Sequence, residues 1–114
     1  MKKNEFIEEV SCNYGYYTAY VYDSPNNRYQ YTSGEFTDDH FDDAPEDGYQ
    51  IVGINDVPEV KKVIADNFLA ELEPAPDVED EAYNELRDMI VSGKANVGYW
   101  TDESGETTYI LLYN

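Results

Sequence analysis

The chain has 114 residues, and 25 Asp and Glu against 7 Lys and Arg leave a formal net charge of −18; this length supports one domain. Leu, Ile, Val and Phe make up about a fifth of the residues, near the level at which a highly charged chain stays unfolded, so the 12 Tyr and single Trp must supply much of the buried area. Charge of this sign and size repels DNA, RNA and anionic membranes, which excludes direct binding to them and leaves a basic partner or a cation as what the chain attracts.

In chain order, apolar Phe6, Ile7 and Val10 behind Asn4, a possible cap, predict a short helix over 4–11. From Gly15 the period becomes two: Tyr17, Ala19 and Val21 share one face and Tyr16, Thr18, Tyr20 and Tyr22 the other, a strand with apolar groups on both faces. Asp23-Ser24-Pro25-Asn26-Asn27 is turn chemistry, and 28–33 returns as the hairpin partner with Tyr29 and Tyr31. Residues 35–47 hold seven acids and no base and predict a loop or one helical turn around Phe36 and Phe41, closed by Pro45 and Gly48.

Tyr49 to Ile54 reads as a third strand, giving a three-stranded meander. Val57, Val60, Val63, Ile64, Phe68, Leu69 and Leu72 then recur at helical spacing behind Asn55, Asp56 and Pro58, predicting a helix over 57–72. Residues 73–77 break it with Pro74 and Pro76. A second helix over 78–92 turns Val78, Ala82, Leu86, Met89 and Ile90 to one side and stops at Gly93. Residues 95–101 and 107–113 close the chain as a hairpin. The expected fold is a single small α+β domain over 1–114, an antiparallel sheet (meander plus C-terminal hairpin) with the two main helices on one face.

Groups for chemistry are few. Cys12 is the only Cys and His40 the only His, so no internal disulfide, zinc cluster or nucleophile–base pair other than Cys12 with His40 can be written, and no phosphate-binding loop is present. The expectation is a protein that is not an enzyme and needs no cofactor. No apolar run approaches the roughly 20 residues of a membrane span, and Met1-Lys2-Lys3 leads into polar residues, so a cytoplasmic location is expected. Asp38–Asp43 and Asp102–Glu106 cluster oxygens that could attract calcium, but neither has the spacing of a twelve-residue calcium loop.

Fifteen of the 25 acids fall within 35–47 and 71–88. Asp77, Glu81, Glu85 and Asp88 repeat at i+4, i+4 and i+3, and Asp38, Asp42 and Glu46 have similar spacing, with Asp39, Asp43 and Asp47 beside them. An amphipathic helix normally carries charge on its outer side; here compensating Lys at i+4 is lacking, so like charges repel at a cost of a few tenths of a kcal/mol per pair. Neighbours so spaced lie roughly 5–6 Å apart, comparable with phosphates along a nucleic-acid strand. A Tyr16, Tyr20 and Tyr22 face, joined by Tyr29 or Tyr31 across the hairpin, would add an aromatic contact patch.

By size, charge and acidic segments on a compact α+β frame, the chain resembles the DNA-mimic inhibitors that phages and mobile elements make against restriction enzymes, CRISPR effectors and DNA-repair enzymes. The resemblance lies in composition and charge geometry, not in a motif. It implies a stoichiometric inhibitor acting in a bacterial host cell on the basic groove of a nucleic-acid-binding protein. An immunity-type or adaptor protein for another basic partner, or a calcium-binding acidic domain, would leave the same charge signature.

Overall fold

A computed structural model describes residues 1–14, 17–71 and 81–113, with all their side chains except those of 17, 38, 40 and 81–83. Helix α1 (Lys3–Asn13) leads to β1 (Tyr17–Asp23) and β2 (Gln30–Glu35), then a 3₁₀ turn (Asp38–Phe41), β3 (Gln50–Gly53), a second 3₁₀ turn (Ile54–Asp56), α2 (Pro58–Glu71), α3 (Glu81–Ser92), β4 (Asn96–Thr101) and β5 (Thr107–Leu112). The strands form one antiparallel sheet in the order β2-β1-β5-β4-β3. The domain is therefore α+β, as the periodicities require.

One expectation changes. The first three strands do not form a meander: β3 lies at the opposite edge from β2 and pairs with β4. Phe36, Phe41 and Tyr49, on the connection between β2 and β3, belong to the aromatic cluster beneath α1, and burying them carries the chain across that face of the sheet. The two main helices, α2 and α3, share one face as expected, and the short α1 covers the other. Ala19 and Val21 of β1 face α2 and α3 in an aliphatic cluster with Ile64, Phe68, Ile90, Val97 and Leu111. Tyr20 turns the other way, into a cluster with Phe6, Val10, Phe41, Tyr49, Trp100, Ile110 and Leu112. A strand apolar on both faces needs cover on both, and α1 supplies the second layer.

Local chemistry sets the helix ends. α1 begins at Lys3 with Lys2, not Asn4, in the capping position and no side-chain cap; the Lys3 N–H instead donates to the Glu46 carbonyl at 2.9 Å, satisfying one of the donors a helix start leaves open. Pro58 opens α2, where its missing N–H costs nothing. α3 ends in a Schellman motif: Lys94 N–H donates to Met89 O at 2.9 Å, Gly93 N–H to Ile90 O at 3.3 Å, and Gly93 has φ +82°, the left-handed conformation that favours glycine. The break expected at 73–77 and the start of a helix at 78 lie outside the described residues.

Candidate functional site

One glycine makes the α1 layer possible. A Cβ on Gly98 of β4 would lie 2.6 Å from the Phe6 ring, so only glycine lets that ring rest on the sheet. Phe6 stacks 5.0 Å from Tyr49 and meets Trp100 and Phe41 edge-on at 5.8 and 5.9 Å, arrangements that suit the ring quadrupoles. Phe41, 1% exposed, thereby anchors the 3₁₀ turn. With Phe41 inward, Asp39, Asp42 and Asp43 are exposed, as are Glu46 and Asp47 just beyond.

Glu5, Glu8 and Glu9 are also exposed, on the helix whose Phe6 packs against Phe41 and whose Lys3 N–H donates to Glu46 O. Among the described residues, none of these eight carboxylates lies within ion-pair distance of a Lys or Arg; the ion pairs are Arg28 with Asp23 and Glu59, and Lys62 with Asp66, at the β1–β2 turn and on α2. The spacing of Asp38, Asp42 and Glu46 does not make a helical row, because the 3₁₀ turn ends at Phe41 and the chain leaves it through Asp42 toward Pro45. Asp39, Asp42 and Asp43 instead flank the buried Phe41 in the chain and are exposed. For Asp38 only the backbone position within this turn is described.

The second acidic segment is on the other side of the sheet. Glu85 and Asp88 are exposed on α3, with Glu81 one turn earlier in the same helix; Asp77 lies outside the described residues. Bases share this side: Arg87 is exposed on α3, Lys62 pairs with Asp66 at 2.5 Å, and Lys61 Nζ donates to the Val91 carbonyl near the α3 C-terminus at 3.1 Å. A cation there is favoured by the helix dipole. The two acidic segments are thus separate surfaces with different local balance, not one row.

The tyrosine patch is also corrected. Tyr20 is 1% exposed, and its hydroxyl donates to the Glu35 carbonyl at 3.4 Å; burial pushes its pKa up. It is core, not a contact anchor. Tyr22 is half-buried against the same cluster, and Tyr16 lies outside the described residues. The register pairs Tyr31 with Val21, which puts Tyr31 on the α2 face, opposite Tyr20 and Tyr22.

Half-buried Tyr29, Tyr31, Tyr99 and Tyr109 share that α2 side. Tyr99 and Tyr109 stack at 5.5 Å, the Tyr31 hydroxyl donates to Glu71 at 2.9 Å, and Tyr29 bonds Glu59 beneath the Arg28 guanidinium, 4.9 Å above its ring. Cross-strand register was the missing signal: residues opposite one another share a face, and the 99/109 pairing follows once β4 and β5 are aligned around their turn.

The remaining chemical candidates reduce to structural roles or exposure. Asp102 Oδ1 accepts from Ser104 N–H and Oγ at 3.0 and 2.6 Å and from Glu106 N–H at 3.0 Å. The Ser104 hydroxyl, followed by these backbone donors, holds its carboxyl below the usual range and fixes the β4–β5 turn. Among the described residues, no three His, Cys, Asp or Glu side chains are placed to hold a metal ion. Cys12 is an exposed thiol on α1. The chain matches no protein-family model, no curated protein and no solved structure. Among the described residues no helix is long and apolar enough to cross a membrane.

Proposed function

We propose that this protein is a non-enzymatic nucleic-acid mimic that docks its α1 face into the basic DNA- or RNA-binding groove of a bacterial defence or repair protein, such as a CRISPR effector or restriction enzyme, and blocks it. The observation that carries the reading is the set of eight exposed, unpaired carboxylates on α1 and around Phe41, adjoined in sequence by only Lys2 and Lys3. Holding like charges together costs stability, and the anchored turn keeps them outward, where a groove lined with Lys and Arg would recover that cost. Solubility alone needs a net charge of magnitude about 2–8 in a small domain, far below the −18 of this chain.

The test is competition. Immobilised protein is exposed to a bacterial lysate, and the retained proteins are eluted with duplex DNA, with guide-length RNA and with salt. The reading expects a basic nucleic-acid-binding protein released by nucleic acid, and a blank gel shift between the isolated chain and DNA. A partner released by salt alone would identify an immunity-type binder of another basic protein. Direct DNA binding at physiological salt would overturn both.

A further inference from the structure

The two edges of the sheet are treated differently. At β3 the strand has four residues, and the chain start lies against it: the Met1 ammonium donates to the Tyr49 carbonyl at 2.6 Å and Tyr49 N–H donates to Met1 O at 3.0 Å. At β2 the strand runs for six residues, Gln30–Glu35, mostly exposed. Its register against β1 is unbroken from Tyr22–Gln30 to Tyr17–Glu35, so no bulge twists it away, and it carries neither Lys nor Pro. Among the described residues, no main-chain hydrogen bond other than the β1 ladder involves it. Native edges are normally blunted by the devices missing here, because a row of open N–H and C=O groups templates another strand.

We propose that β2 pairs antiparallel with β2 of a second copy of this chain, joining two five-stranded sheets into one. Charge selects the occupant. Residues 28–34 contain Arg28 and no acid, and the carboxylate lying over them, Glu71, is already engaged by Tyr31 and Ser33, so along this edge a chain of −18 can approach its own copy with few carboxylates directly opposed. The two-fold axis of an antiparallel strand pair is normal to the sheet, which sets a residue opposite its own copy. Centred on Thr32, the pairs are Thr32 with Thr32, Tyr31 with Ser33 and Gln30 with Gly34, all uncharged, and the strand's one acid, Glu35, falls across from Tyr29, next to Arg28.

The same axis keeps both α1 faces on one side of the joined sheet, doubling the length of the acidic surface. Pairing a single six-residue edge belongs among small interfaces, roughly below 1,200 Å² in total, so association is concentration-dependent. It also brings two copies of Glu71 toward the axis, because that carboxylate lies over the strand and accepts from Tyr31 Oη at 2.9 Å and Ser33 Oγ at 2.8 Å.

Sedimentation velocity of the full chain over a range of protein and salt concentrations tests this. Dimerisation should strengthen as salt rises, since screening relieves the repulsion between two acidic chains; docking to a basic partner has the opposite salt dependence, so the two associations fail separately. Thr32→Asp, at an exposed position, should weaken the dimer about tenfold or more by opposing two like charges at the axis, with the melting temperature of the monomer retained. Glu71→Gln should tighten it, which a purely structural Glu71 would not do. A chain monomeric at every salt and concentration, a dimer indifferent to both substitutions, or one dissolved by salt would overturn the proposal.

Discussion

The two faces of the sheet solve the same problem with different chemistry. On the α2/α3 face, aliphatic side chains form the core and charges are partly neutralised: Lys62 meets Asp66, Arg28 meets Asp23 and Glu59, and tyrosine hydroxyls bond Glu59 and Glu71. On the α1 face, aromatic rings form the core and, among the described residues, the exposed carboxylates have no Lys or Arg within ion-pair distance. Local compensation, not the number of acids, separates a solvated surface from one built to be covered. The rings suit the second case, since Phe6, seated on Gly98, packs with Phe41, Tyr49 and Trp100 and holds a turn that has little regular backbone pairing of its own.

The largest effect should come from removing that anchor. Phe6→Ala should cost about 3–5 kcal/mol, and Ile64→Ala on the other face about 2–5 kcal/mol. The distinction lies in where each is felt. Hydrogen exchange should show the Ala44 amide, which bonds Phe41 O at 3.1 Å, and the Lys3 amide, bonded to Glu46 O, losing protection first in Phe6→Ala. In Ile64→Ala they should open only with global unfolding. Equal patterns would mean the α1 layer is not a separate unit. Gly98→Ala should reproduce the Phe6 pattern at about 1–3 kcal/mol, through overpacking.

Alkaline pH probes both faces at once. Burial, then the bond to Glu71, lifts Tyr31 to about 12, and burial, then the charge of Glu46, lifts Tyr49 to about 12. Both folded values exceed the unfolded value of about 10, so above that pH the unfolded chain releases protons that the folded chain keeps. Stability is therefore complete below about pH 10 and falls as pH rises toward 12. Tyr31→Phe and Tyr49→Phe should each flatten this decline in denaturant midpoints measured against pH, alongside the tyrosinate absorbance. An unchanged slope would contradict the assignment.

The smallest effects carry opposite signs. Glu5 and Glu9 are like charges at i,i+4, so Glu9→Gln should raise stability by about 0.2–0.5 kcal/mol. Lys62→Gln should lower it by a similar amount, about 0.3–0.5 kcal/mol, by removing the exposed pair with Asp66. Thermal melts at low salt resolve both, and both differences should shrink as salt is added.

Much of this was legible in the sequence where one residue's neighbours in the chain are also its neighbours in space. α2 shows itself in the 3.6 period behind Pro58, the end of α3 in Gly93, and both hairpins in their turn residues. The meander failed because strand order depends on where Phe36, Phe41 and Tyr49 find cover, a tertiary matter with no local signal. The helical row through Asp38, Asp42 and Glu46 failed because spacing implies a face only if the helix continues, and Pro45 follows too soon. Tyr20 was misplaced as a surface residue because composition showed two apolar faces on β1 but not that α1 would cover the second.

The contrast between the faces can be measured without a partner. Paramagnetic relaxation of amide protons by a cationic and an anionic nitroxide, compared residue by residue, reports the local electrostatic potential. The account predicts a distinctly more negative potential at residues 5–9 and 39–47 than along α2 and α3, with the difference reduced by Glu8→Gln, Asp42→Asn and Asp43→Asn but not by Glu85→Gln and Asp88→Asn. Equal potentials on the two faces, or a minimum centred on α3, would contradict it.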